Sequence, residues 1–214
     1  TDNYQVHHVV VEAASKAWAS GAKVLVLPTI SYGIQTGQMD IAYCMNLLPS
    51  TQLIILKDIA DTLVKAGCPK LVIVNGHGGN NFKNIIRELS FFFPSLFTCA
   101  VNWYDAVPAR EYFEKPADHA DEFETSCIMH LRPDLLLPLN EAGDGNTKKF
   151  KIEALRSGWA TAQRQWTSIS TDTGSGNPEL ATEEKGKKYL DACITRLSTF
   201  FIDLSKVKNN EMYE

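Results

Sequence analysis

Cysteine is sparse and scattered. Cys44, Cys68, Cys99, Cys127 and Cys193 are the five in 214 residues, and no two form a C-x-x-C pair. An odd, dispersed set reads as buried, reduced thiols in a cytoplasmic protein rather than a disulfide framework. Charge of one sign is never concentrated. The net charge is −4 and the pI about 5.8, with no basic stripe for nucleic acid and no like-charged block that would form a solvated tail. No apolar run reaches the roughly 18 residues of a membrane span, and there is no signal-peptide pattern. Nucleic acid and membrane are therefore not expected as partners. Three common chemistries lack their motifs. No G-x-G-x-x-G follows a strand, no G-x-x-x-x-G-K-[ST] occurs, and no G-x-S-x-G elbow appears. There is also no internal repeat and no low-complexity segment.

What is present suits one sizeable α/β domain, with 44% hydrophobic residues. Val6, Val9, Val10, Ala13, Ala14, Ala17 and Trp18 fall at helical spacing, and Gly21 ends that helix. Lys23 to Leu27 reads as a short strand closed by Pro28. Residues 30–50 read as a long polar, glycine-containing loop, a kind that is usually functional. A helix capped by Ser50 or Thr51 runs to about Lys65. A strand at 71–75, a helix near 81–91 and a strand from Leu96 to Asn102 come next. A helix from about Asp121 to Leu131 follows. Residues 132–180 show little periodicity, and a final helix covers about Thr182 to Leu204. Strands alternating with helices predict a mostly parallel sheet covered on both faces, a three-layer α/β/α sandwich.

The stretch Leu71-Val-Ile-Val-Asn75 stops at Asn75-Gly76-His77-Gly78-Gly79-Asn80, and an amphipathic run from Phe82 to Leu89 begins at once. That is a strand, a glycine turn and a helix start. Ligands gather at the carboxyl ends of strands in open α/β sheets, so His77 is delivered to the place where chemistry usually happens. Asp2 comes just before the first helix. His119 and Glu124 lie in Asp118-His-Ala-Asp-Glu-Phe-Glu-Thr-Ser126. Imidazole with carboxylates is a ligand set for Zn²⁺, Mn²⁺ or Fe²⁺. Each residue also has a plainer explanation. Asp2 can be an N-cap, Asp121-x-x-Glu124 can be a capping box, and His119 can be an exposed loop residue. His7 and His8 lie within a helix and His130 late in one, and all three read as non-catalytic. Trp103 and Tyr104 close a strand, where they can serve the core or wall a pocket.

Taken together these segments resemble the creatininase (creatinine amidohydrolase) family. Asn75-Gly76-His77-Gly78-Gly79-Asn80 is similar to its Asn-Gly-His-Gly-Gly-Asn signature. His119-Ala120-Asp121-Glu122-Phe123-Glu124-Thr125-Ser126 is similar to its His-Ala-Gly-x-x-Glu-Thr-Ser segment. Thr1-Asp2 resembles the end of its Glu-x-His-Gly-x-His-Leu-Pro-x-x-Thr-Asp motif. Pro28 to Gly33, Leu48-Pro-Ser-Thr51 and Gly176 to Gly186 resemble further family segments.

The resemblance implies a metal-dependent amidohydrolase with a pair of divalent ions (zinc, with manganese or iron as alternatives), a small-molecule substrate and a homo-oligomer, hexamers included. It implies Asp2 as a bridging carboxylate, His77 and Glu124 as further metal ligands and His119 as the acid/base. It also implies a substrate-facing backbone at Gly78. Trp103 and Tyr104 are added as pocket walls. One domain over 1–214 is expected, lacking or not showing the family's first strand and first ligand motif. Two departures bear on substrate. Creatininases proper carry a carboxylate where this chain has Gly79, and the Tyr-Gly loop continues here as Ile34-Gln-Thr-Gly-Gln38.

The activity expected is hydrolysis of a non-peptide C–N bond in a small cyclic amide or formamide by metal-activated water. A catalytically inactive binding or assembly subunit is the alternative. A phosphate binder at the glycine turn fits the geometry but leaves Asp2 and Glu124 without a role.

Overall fold

The computed structural model describes residues 1–214, which divide into two compact units. Unit 1 comprises Thr1–Ile34, Leu47–Val107 and Asp191–Glu214; unit 2 comprises Gln35–Asn46 and Pro108–Leu190.

Unit 1 opens with helix α1, Asp2–Ala19, which buries Val6, Val9, Ala13, Ala14 and Ala17. These fall at helical spacing, so one face is apolar. Gly21 stops the helix in the left-handed region at φ 91°. The Gly21 amide donates to the Trp18 carbonyl and the Ala22 amide to that of Ala17, which satisfies the last turn. Helix α2, Pro49–Lys65, starts at its proline, with Leu48 as an extended N-cap. Proline has no amide hydrogen to lose in a first turn. The expected Ser50 or Thr51 cap is therefore corrected: both lie inside the helix, and no side chain caps it.

Strand β1, Lys70–Asn75, helix α3, Lys83–Phe92, and strand β2, Phe97–Asn102, follow. The strands pair in parallel with Lys70 opposite Phe97 and Asn75 opposite Asn102. They therefore end level, and their carboxyl ends present Asn75 and Asn102 side by side. Leu56 and Ala60 of α2 pack with Ile85 and Leu89 of α3 and with Leu96 as a buried cluster. The expected strand Lys23–Leu27 is not one. The sheet contains β1 and β2 alone. Side-chain alternation survives, with Val24 and Val26 half-buried and Leu25 80% exposed. What is missing is a backbone partner, and a strand is defined by its ladder.

Unit 2 holds α4, Glu122–Leu131, and two four-residue helices, α5, Glu153–Arg156, and α6, Trp166–Ile169. Helix α7, Glu183–Lys206, begins in unit 2 and ends in unit 1. Phe113, Phe123 and Tyr189 make an aromatic core with ring centroids 5.0–5.6 Å apart. Glu122 is fully buried. Its carboxylate accepts the amides of Glu114 and Lys115 at 3.0 and 2.7 Å and the Lys185 ammonium at 2.6 Å. Both of its oxygens are thus answered by donors. No helix is long and apolar enough to cross a membrane.

Candidate active site

Asp2 is not the N-cap of α1. Thr1 occupies that position and Asp2 is the first helical residue. Its carboxylate instead meets His77, with Oδ2 2.9 Å from Nδ1. Both side chains are partly exposed, at 31% and 23%. Gly76 allows this approach. A Cβ there would lie 2.8 Å from the Cβ of Val6, so α1 could not pack so closely against the turn with any other residue.

The other ring nitrogen of His77 settles where a hydrogen sits. Nε2 lies 3.1 Å from the Ile34 carbonyl oxygen. A carbonyl only accepts, so Nε2 carries the hydrogen. Nδ1 then faces a carboxylate, itself an acceptor. Two acceptors at that distance repel unless a proton or a cation lies between them. With Nε2–H anchored to a carbonyl, Nδ1 is the ring nitrogen directed at Asp2, the orientation that metal-ligating histidines also adopt. No group of three or more His, Cys, Asp and Glu side chains is arranged in the chain to hold a metal ion.

The turn around His77 is held by amide side chains. The Asn75 Oδ1 accepts the His77 amide at 3.1 Å and Asn80 Nδ2 at 3.0 Å. Asn75 Nδ2 donates to the His77 carbonyl and to Asn102 Oδ1, both at 2.9 Å, and to the Tyr104 hydroxyl at 3.4 Å. Tyr104 is thereby tied to the turn. Trp103 is 1% exposed, so most of its ring is core; with Phe200, Arg196 and Asp203 it borders a cleft of about 480 Å³. Gly78 is exposed, and nothing lies within 4 Å of where a Cβ would be.

Unit 2 brings His119 and Glu124 together, Nδ1 to Oε2 at 3.4 Å, with the two side chains 36% and 24% exposed. The same Oε2 accepts the Ala120 amide at 2.7 Å. Ala120 stands in the left-handed region at φ 51°, a conformation that costs an L-residue about 1–2 kcal/mol. Glu124 thus both faces His119 and helps hold the strained backbone beside it. Asp121 is the N-cap of α4 and accepts the Glu124 amide at 2.8 Å. Its carboxyl is pushed above the ordinary range by burial, against the pull of the Ala117 and Glu124 amides. The His119 backbone exchanges hydrogen bonds with Ser175 at 3.2 and 3.0 Å.

Several neighbours carried no sequence signal. Trp166 sits edge-on to the His119 ring at 5.3 Å, and the Arg164 guanidinium lies over that indole at 4.6 Å while pairing with Asp118. Both come from the segment without periodicity. Gln52 and the Ile34 peptide also passed unnoticed; a backbone carbonyl leaves no trace in a sequence. His130 faces Glu183 at 3.4 Å, on the surface.

Known proteins share this framework. A family model described as Creatininase: Creatinine amidohydrolase matches residues 1–201. A solved Bacteroides fragilis protein that carries a provisional creatinine amidohydrolase name is 39% identical, with a TM-score of 0.89 over 98% of this chain and 83% of its own. A structure described as creatininase with Mn is 21% identical, with a TM-score of 0.73 over 93% of this chain and 81% of its own; another is described as a Zn-Zn type at 20% and 0.69, over 91% and 80%. A Mycobacterium ulcerans (strain Agy99) protein named mycofactocin precursor peptide peptidase is 25% identical over 81% of this chain. That match spans 66% of the relative's length, just under two thirds. The chain belongs to the creatininase family, a family of metal-dependent amidohydrolases.

Proposed function

We propose that the protein is a metal-dependent amidohydrolase that hydrolyses a non-peptide C–N bond in a small cyclic amide or formamide. The observation that carries this reading is the pairing of Asp2 Oδ2 with His77 Nδ1 at 2.9 Å while Nε2 is tied to the Ile34 carbonyl. Asp2 and His77 fit a divalent ion as a mixed oxygen and nitrogen donor pair, and Glu124 is proposed as a further ligand. When bound, such ions polarise a carbonyl and supply hydroxide at neutral pH. Zinc is the first candidate and manganese the second, in line with the descriptions of the creatininase structures.

The chain's own residues supply the remaining roles. His119 donates a proton to the leaving nitrogen as the C–N bond breaks. Glu124, with Oε2 3.4 Å from its Nδ1, orients the His119 ring for this step. The open backbone at Gly78 leaves room for substrate to approach the turn. The name of the mycobacterial relative adds short peptides to the substrates worth testing. Metal content of the full-length protein, wild type against His77→Ala, is the direct test. Loss of metal and of amide hydrolysis in the variant supports the reading. Equal metal content in both removes its basis. Creatinine, formamidopyrimidines and short peptides are the substrates to screen.

A further inference from the structure

We infer that Gln52 and Asn80 are positioning residues for His77, holding its imidazole through the Ile34 peptide so that Nε2–H is fixed and Nδ1 faces Asp2. The Ile34 peptide is gripped at both ends. Its amide donates to Asn80 Oδ1 at 3.0 Å, and the Ile34 carbonyl accepts His77 Nε2 at 3.1 Å. Asn80 is itself fixed. Its Nδ2 donates to Asn75 Oδ1 at 3.0 Å, so its Oδ1 must point toward Ile34, and the same oxygen accepts Gln52 Nε2 at 2.9 Å. Asn75 is oriented in turn by the His77 amide, which has only a hydrogen to offer. No amide in the chain Gln52–Asn80–Asn75 can flip without setting two donors or two acceptors against each other. The order therefore runs from α2, through Asn80, to one peptide of the loop and then to the ring.

Two glycines close around the result. A Cβ on Gly79 would stand 2.4 Å from His77 Nε2 and 2.7 Å from the Ile34 oxygen. A Cβ on Gly33 would stand 3.1 Å from both Asn80 Oδ1 and His77 Cδ2. The hydrogen bond is thus enclosed by backbone on both sides. Gln52 is 5% exposed, and its Oε1 has no donor. Its retention in the core is therefore explained by the one bond it makes, to Asn80. A methionine at that position removes the bond and the unanswered oxygen together, so the fold loses little while the anchor on Asn80 is lost.

The consequence for the cation rests on the function proposed above; the consequence for the ring does not. Partners that orient a ligating histidine typically change metal affinity by about 10–100-fold. The test uses full-length protein labelled with ¹⁵N-histidine, as wild type, Gln52→Met and Asn80→Ala. In each, the solvent exchange of the His77 Nε2–H is followed without metal, and Zn²⁺ affinity is measured by competition with a chromophoric chelator. The expected result is a protected Nε2–H in wild type, faster exchange in both variants and Zn²⁺ binding weakened about tenfold or more, with the melting temperature of Gln52→Met close to wild type. Wild-type exchange and wild-type affinity in either folded variant overturn the inference. Should Gln52→Met not fold, Asn80→Ala decides by the same two readings. A protected Nε2–H that the variants lose, in a protein that binds no Zn²⁺, supports the positioning role and overturns the cation reading instead.

Discussion

The imidazole of His77 is caught between an acceptor that is neutral and one that is charged. The Ile34 carbonyl takes the hydrogen of Nε2, and the Asp2 carboxylate faces Nδ1. Adding a single methyl group tests how much depends on this. Gly79→Ala drives a Cβ into the Nε2···O hydrogen bond and should lower Zn²⁺ affinity by about 10–100-fold, read by chelator competition. Gly78→Ala meets nothing and should leave affinity unchanged. A second residue-scale prediction concerns Cys99 on β2, whose thiol is pushed up to about 11 by burial. It should resist iodoacetamide at pH 8 in the native protein and react once the chain is unfolded, as mass spectrometry would show. The sign for stability follows from the native state holding its proton more tightly than the unfolded chain does. Cys99 weakens the fold only as pH rises from about 8.5, the ordinary thiol value, through 11. A Cys99→Ala variant should lose that alkaline slope in a denaturant titration.

Elements differ in how far their own sequence specifies them. Leu89→Ala, at a fully buried position of α3 against α2, should cost about 2–5 kcal/mol in urea unfolding. Asp121→Ala removes the cap of α4 and orphans the Ala117 amide, which Asp121 also accepts; a loss of about 2 kcal/mol is expected. Helices α1, α2, α3, α4 and α7 and both strands were legible because each carries its own periodicity and its own stop, such as Gly21 or the turn at His77. Lys23–Leu27 misled because alternation reports side-chain faces, whereas a strand also needs a backbone partner from elsewhere. Helices α5 and α6 were illegible, since four residues hold barely one turn of pattern. At the site, the histidine turn and the Glu-Thr-Ser segment stood out as side chains with chemistry. Asp2 read equally well as a cap. The Gln52–Asn80–Ile34 chain could not be read, because its links are amides and a peptide group brought together by folding.

On the scale of the molecule, the chain belongs to a family of metal-dependent amidohydrolases, and the proposed chemistry is placed at the pairing of Asp2 with His77. Exhaustive dialysis against a chelator should abolish amide hydrolysis, and Zn²⁺ or Mn²⁺ should restore it. Both creatininase descriptions that name a metal concern chains of no more than 21% identity, so for those the shared fold is the whole of the likeness. The most direct measurement is a crystal structure of the metal-loaded protein with anomalous scattering at the zinc or manganese edge. The account predicts a peak about 2.0–2.2 Å from both His77 Nδ1 and an Asp2 carboxylate oxygen, with Nε2 still bonded to the Ile34 carbonyl. A metal ligated through Nε2, or a peak remote from His77, would contradict it.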